Sequence, residues 1–199
     1  MEIVAFFLAL ICVSLNAKGH VLTWPFSIAS SATYAWVFYG SGLFGDAALQ
    51  LIFISLAIYA WWCWTRKVDL ITLDGSPQLA KQFGHIPKKM LVVCLLAWFL
   101  LFIAIKFALT NYTSSVVPNA DAFLTAGSVI ATFMSAQKWI ENWLIWMAVN
   151  PIYIGLYIYT DLYLTAGLYG LFVLLCFWGW QQWSKKIVEQ AQQSIKVSV

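Results

Sequence analysis

Seven long apolar runs constrain this chain more than any other feature: Ile3 to Ala17, Trp24 to Tyr39, Ala47 to Trp64, Met90 to Leu109, Ala122 to Ala136, Trp143 to Tyr159 and Leu162 to Trp180. A helix needs roughly 17 to 25 apolar residues to cross about 30 Å of hydrocarbon. The stretches between the runs are too short for a soluble domain. Of the 199 residues, 62% are hydrophobic and 10% charged, whereas a soluble domain carries about 25% charged residues. So few charges cannot coat a water-facing shell, and the bilayer is the solvent to reason with. An unpaired backbone amide in hydrocarbon costs several kcal/mol, so each run is expected to be helical. The fold class that follows is an all-α integral membrane protein with seven transmembrane helices. The first run is the shortest. It competes with a signal peptide, but Met1-Glu2 lacks a positive charge and Asn16-Ala17-Lys18 is a poor cleavage site, so a retained helix is expected.

Placing the N-terminus outside puts all but Lys106 of the eleven basic residues on one side: Lys18; Arg66, Lys67, Lys81, Lys88 and Lys89; Lys138; Lys185, Lys186 and Lys196. The positive-inside rule then gives an outer N-terminus and a cytoplasmic C-terminus. Cys12, Cys63, Cys94 and Cys176 lie in four different runs without metal-ligand spacing, and read as small apolar packing residues. Trp24, Trp139 and Trp183, at the ends of runs, fit an interfacial aromatic belt.

Sliding the chain against itself gives an ungapped match at an offset of 119, from Ala17/Ala136 to Lys67/Lys186. It pairs Trp24 with Trp143, Tyr34 with Tyr153, Phe53 with Phe172, Trp61 with Trp180 and Trp64 with Trp183. Apolar helices agree by chance in Leu and Ala, hardly in aromatic residues held in one register. The repeat holds three runs and one further run lies between copies, so both copies enter the membrane from the same side: a 3+1+3 parallel repeat. The expected units are a bundle at 1–65, a cytoplasmic loop at 66–89, a linker helix at 90–110, a second bundle at 121–183 and a solvated tail at 184–199. Parallel repeats of this kind are a transporter architecture with its site near the midplane. Duplication can also serve stability alone.

Trp143, Trp146, Asn150, Tyr153 and Tyr157 follow one another at steps of 3, 4, 3 and 4, and so form one stripe of a helix. Such a stripe is often plain packing core. Asn150 argues for more, because a polar amide inside a membrane faces the bundle interior, and Pro151 beside it removes a backbone donor. The matching face of the first copy carries Trp24, Ser27, Ser31, Tyr34 and Phe38. Small residues there oppose Trp146 and Asn150, leaving room for a flat ligand that stacks on indole, and aromatic faces attract cationic rings. Gln50 and Tyr59 are further polar candidates in the third run. Gln181 and Gln182 read as interfacial. The acidic residues Glu2, Asp46, Asp69, Asp74, Asp121, Glu141, Asp161 and Glu189 fall in loops or at run ends, which suggests a uniporter, although Asp46 or Asp121 could reach a cavity from the outer border. His20 and His85 lie in loops and no run joins Ser with His, paired carboxylates or a metal spacing, so the chain does not read as an enzyme. No cofactor, metal or nucleic-acid partner is expected.

The segment Trp143-x-x-Trp146-x-x-x-Asn150, with Leu-Tyr-Ile-Tyr at 156–159 and Leu-Tyr-Leu-Thr-Ala-Gly-Leu-Tyr at 162–169, closely resembles the PnuC family of bacterial vitamin transporters. The likeness extends to Trp24-Pro25-Phe26 and Leu43-Phe44-Gly45-Asp46-Ala47. It implies a SWEET-like 3+1+3 fold in the bacterial inner membrane. It also implies facilitated diffusion of an unphosphorylated vitamin precursor, nicotinamide riboside first and thiamine or riboflavin otherwise, which a cytoplasmic kinase then traps. By the family pattern Trp143, Trp146 and Asn150 line the substrate site, with Gln50 a partner. Trp61-Trp62-Cys63-Trp64 departs from a family pattern that is polar near Cys63, which bears on the cargo more than on the fold. A membrane receptor or assembly subunit that binds without transport is the reading of another class. A homo-oligomer is left open.

Overall fold

A computed structural model of the chain describes residues 2–40, 44–65, 82–113, 117–159 and 163–197. They form seven helices: α1 (Glu2–Ala17), α2 (Thr23–Gly40), α3 (Phe44–Thr65), α4 (Lys88–Tyr112), α5 (Pro118–Ala136), α6 (Asn142–Tyr159) and α7 (Tyr163–Val197). Each apolar run falls inside one helix, except that Leu162 lies outside the described residues. So does most of the connector expected at 66–89, including Asp74-Gly75 and Ser76-Pro77.

Within the first half α2 packs on α1 and α3, and within the second α6 packs on α5 and α7. The halves meet where α1 touches α7 and α3 touches α5, while α4 lies outside both and packs on α5. Cys94, Ile130 and Met134 form the core of that last contact. Gly127 allows it, because a Cβ there would stand 2.6 Å from Cζ2 of Trp98. The outward side of α4 exposes Val92, Leu96, Phe99, Leu100, Ile103 and Phe107. Among the described residues α4 is the one helix long and apolar enough to cross a membrane by itself, with a mean hydropathy of 2.7. Phe6–Ala17 of α1 and Leu49–Thr65 of α3 are apolar but shorter.

At one end of the molecule, the end rich in lysine, the two halves close on each other through bonds that recur at the 119 offset. Both α1 and α5 stop in the same turn. Gly19 at φ 64° and Lys138 at φ 58° take the left-handed conformation, and the amides of His20 and Trp139 reach back to the carbonyls of Leu15 (2.9 Å) and Met134 (3.1 Å). A lysine in that conformation costs about 1–2 kcal/mol. Part of this is offset where the Lys138 ammonium lies 5.0 Å from the ring centre of Trp64 and 5.2 Å from that of Phe83. Asn16 Nδ2 donates to Ser135 Oγ at 3.1 Å. Trp64 Nε1 donates to the Ala136 carbonyl at 3.2 Å and Trp183 Nε1 to that of Asn16 at 2.9 Å. Trp24 meets Trp64 edge-on (5.3 Å, 88°) as Trp143 meets Trp183 (5.5 Å, 83°).

Phe83 caps this row of indoles, 4.7 Å from Trp183 and 6.1 Å from Trp64. Its strand of chain is held down where Gly84 exchanges backbone bonds with Lys138 (3.1 Å) and Ile140 (3.0 Å). Glu141 completes the anchor by bonding His85 Nδ1 at 2.8 Å and accepting from the Ile86 amide at 2.9 Å.

Two expectations are corrected here. Trp24 and Trp183 do not form an interfacial belt: they are 3% and 0% exposed, because Trp24 packs on Trp64 and Trp183 is held within α7 against Trp64, Phe83 and Trp143. Nor is the stretch after Ser184 a plain solvated tail. The seventh helix runs unbroken through Gln181 and Gln182 to Val197, carrying the chain about 20 Å past Trp183, and Lys186 Nζ donates to the Lys18 carbonyl. All four cysteines are free.

Candidate binding cavity

Between the halves lies a cavity of about 390 Å³, lined by α1, α2, α3, α5, α6 and α7 but not by α4. Its size falls in the range of small-molecule sites, roughly 300–1,000 Å³. The floor, toward the lysine-rich end, is set by Asn16, Thr23, Trp24, Ser135 and Trp143.

The whole α6 stripe of Trp143, Trp146, Asn150, Tyr153 and Tyr157 lines the cavity, as 3.6 residues per turn requires, and Gln50 and Tyr34 line it from α3 and α2. Tyr59 does not. It sits nine residues after Gln50, half a turn out of phase, so its hydroxyl accepts from Gln137 Nε2 at 2.9 Å and its ring stacks on Phe133. Ser27 and Ser31 face the cavity as well, whereas the side chains of Phe38 and Asp46 lie outside the described residues.

Asn150 is the most informative side chain. It is 2% exposed, its Nδ2 has a long contact of 3.5 Å with Cys176 Sγ, and its Oδ1 has no partner. A buried acceptor left unpaired costs about 1–3 kcal/mol, and a ligand that donates a hydrogen bond would recover it. Trp24 and Trp143 likewise bury an indole N–H without a partner, in contrast to Trp64 and Trp183, which both donate to carbonyls.

Sequence reasoning missed two groups, except for Asp121, which it put within reach of a cavity from the outer border. On α5, Asp121, Thr125, Ser128, Thr132 and Ser135 follow at steps of 4, 3, 4 and 3 and all line the cavity. The hydroxyls of Ser128 and Thr132 donate to Leu124 and Ser128 carbonyls one turn back (2.9 and 2.8 Å), leaving their oxygen lone pairs to the cavity. The spacing test that found the α6 stripe would have found this one. On α7, Tyr169 and Phe172 line the cavity at the positions 119 after Gln50 and Phe53. Tyr169 lies 4.9 Å from Tyr153 and 5.1 Å from Tyr157, so the far end of the cavity is walled by packed phenol rings. Asp121, in the first turn of α5, is the one charged side chain in the lining among the described residues.

A surface of stacked rings, an orphan amide oxygen and a wall of hydroxyls can hold a flat ring bearing hydrogen-bonding groups. Over residues 1–185 the chain matches the family described as nicotinamide mononucleotide transporter. It is 26% identical to the riboflavin/roseoflavin transporter RibM of Streptomyces davaonensis over 92% of this chain and 83% of that one. It is 21% identical to the nicotinamide riboside transporter PnuC of Escherichia coli over 98% and 89%. A crystal structure of the vitamin B3 transporter PnuC superimposes with a TM-score of 0.71 at 20% identity, over 94% of this chain and 81% of the other. With nearly its whole length matched and the seven-helix fold shared, the chain belongs to the nicotinamide mononucleotide transporter family.

Proposed function

We propose that the chain is a multi-pass transporter of the bacterial inner membrane that takes up nicotinamide riboside by facilitated diffusion, with a cytoplasmic kinase trapping the product. The observation that carries this reading is the cavity between the halves, with the aromatic stripe of α6 along one wall and Asn150, whose buried Oδ1 has no partner, among its lining residues. Trp143, Trp146, Asn150, Tyr153 and Tyr157 form the ring-binding wall, and Gln50 and Tyr34 face it. Thiamine fits the same stripe, and riboflavin is the alternative that the relative RibM supports.

The architecture we infer is a SWEET-like 3+1+3 arrangement of bundles at 1–65 and 121–183 joined by the linker helix at 90–110. A residue can touch its own counterpart only beside an axis relating the two copies, and Asn16 bonds Ser135, 119 residues on. The α1–α7 contact becomes the α5–α3 contact under the same shift. Like orientation of the copies is supported by α1 and α5 ending side by side in the same turn at the lysine-rich end. With Lys18, Lys138 and Lys186 gathered at one end, that end is cytoplasmic and the N-terminus outside. Uniport is supported by a lining whose one described carboxylate stands in the first turn of its helix rather than midway along it.

Uptake of labelled nicotinamide riboside, thiamine and riboflavin into proteoliposomes, with and without proton or sodium gradients, tests cargo and coupling together. Equilibration without accumulation is expected. Accumulation driven by a gradient would end the uniport reading, and absence of counterflow into preloaded vesicles would favour a receptor.

A further inference from the structure

Asp121 heads the hydroxyl stripe of α5 and stands where the cavity is walled by tyrosine. Its place in the first turn of α5 lets the helix dipole stabilise the ionised carboxylate. Tyr153, Tyr157 and Tyr169 line the same cavity and pack on one another. Aromatic faces beside a carboxylate attract a permanent cation twice over, through the ring quadrupole and through the charge. A neutral ring of the same shape gains the stacking alone.

We propose that Asp121 is the specificity-determining residue for ligand charge, giving this cavity its preference for a cationic aromatic ring over a neutral isostere. The inference rests on the cavity being the transport site. It selects among the family's cargoes, since nicotinamide riboside and thiamine carry a cationic ring and riboflavin does not.

The test uses two pairs that differ in little but charge: nicotinamide riboside against its neutral 1,4-dihydro form, and thiamine against neutral 3-deazathiamine. Each is titrated into the purified full chain. The wild type should bind the cation of at least one pair about tenfold more tightly, the scale of one favourable charge at a partly solvated site. Asp121→Asn should remove that advantage while the neutral partner changes by less than about twofold, and Asp121→Glu should keep it. Equal weakening of cation and neutral partner would show a structural role and overturn the proposal. So would an undiminished preference in Asp121→Asn, or a wild type that binds riboflavin and neither cation. Nicotinamide riboside failing while thiamine shows the charge effect would remove the proposed cargo and leave the role of Asp121 standing.

Discussion

At the lysine-rich end the two halves present the same tryptophan pair in the same geometry, and midway along the cavity much of the lining differs. Trp24 against Trp64 repeats as Trp143 against Trp183 within 0.2 Å and 5°. Further from the floor, Ser27 and Ser31 of α2 stand where α6 has Trp146 and Asn150, Gln50 of α3 stands where α7 has Tyr169, and Ala9 and Val13 of α1 stand where α5 has Ser128 and Thr132. The tryptophans that join the halves are alike in both, each side of the contact meeting its counterpart. Many cavity-lining positions differ, although Trp24/Trp143, Tyr34/Tyr153 and Phe53/Phe172 match. A flat ligand without two-fold symmetry needs one wall of rings and another of small polar groups, so a symmetric cavity would hold it equally badly in two directions.

Asn150→Ala should sharpen this contrast most. The change removes a buried oxygen that no protein group satisfies, so the fold should keep its stability while ligand affinity falls about ten- to hundredfold. Trp146→Ala removes a stacking face and should fall in the same range. Ser31→Ala, at the position equivalent to Asn150, should change affinity less than about threefold. Calorimetric titration beside a thermal melt separates the effects. If Asn150→Ala melted the protein as readily as it weakened binding, the stripe would be packing core and the contrast would dissolve.

How much of this was legible beforehand follows from what each signal measures. The length of the apolar runs placed the six bundle helices and α4, and periodicity placed the α6 stripe, since a helix face is a matter of angle alone. Pairing across the offset located the residues that join the halves, but nothing in a one-dimensional match shows that Asn16 and Ser135 touch, or that Trp183 is sealed between helices rather than set at an interface. Tyr59 was misplaced because its chemistry was weighed without its phase relative to Gln50. Tyr169 and the α5 hydroxyls of Thr125, Ser128, Thr132 and Ser135 were readable in principle, by adding 119 to Gln50 and by extending the step rule to hydroxyls. The docking of Phe83 and Glu141 was not, because such contacts depend on how a connector folds back over a surface formed elsewhere in the chain.

The shared end can be broken in graded steps. Trp64→Phe and Trp183→Phe each delete an N–H bond to a carbonyl at a helix end and should cost about 1–2 kcal/mol of stability. Trp24→Phe removes an N–H that has no partner and should cost less than either. A Trp24→Phe loss as large as that of Trp64→Phe would mean that ring volume, not hydrogen bonding, holds the halves. Next in size, Asn16→Ala and Ser135→Ala should show a coupling of about 1 kcal/mol in a double-mutant cycle, since each removes the partner of the other.

The smallest effect is expected where the halves solve one problem with different residues. Both copies need a left-handed residue to stop a helix; the first uses Gly19 and the second Lys138. Lys138→Gly should relieve about 1 kcal/mol of backbone strain but forfeit about 0.5–1 kcal/mol of cation attraction to Trp64 and Phe83. The two terms nearly cancel, so the melting temperature should hardly move, whereas Lys138→Met, which keeps the strain and discards the charge, should lower it. The reverse change at Gly19 should not be tolerated in the same way, because a Cβ there would meet the Phe83 ring at 2.5 Å. The two turns would then be equal in backbone shape and unequal in room, the space beside Gly19 being occupied by the ring that caps the indole row.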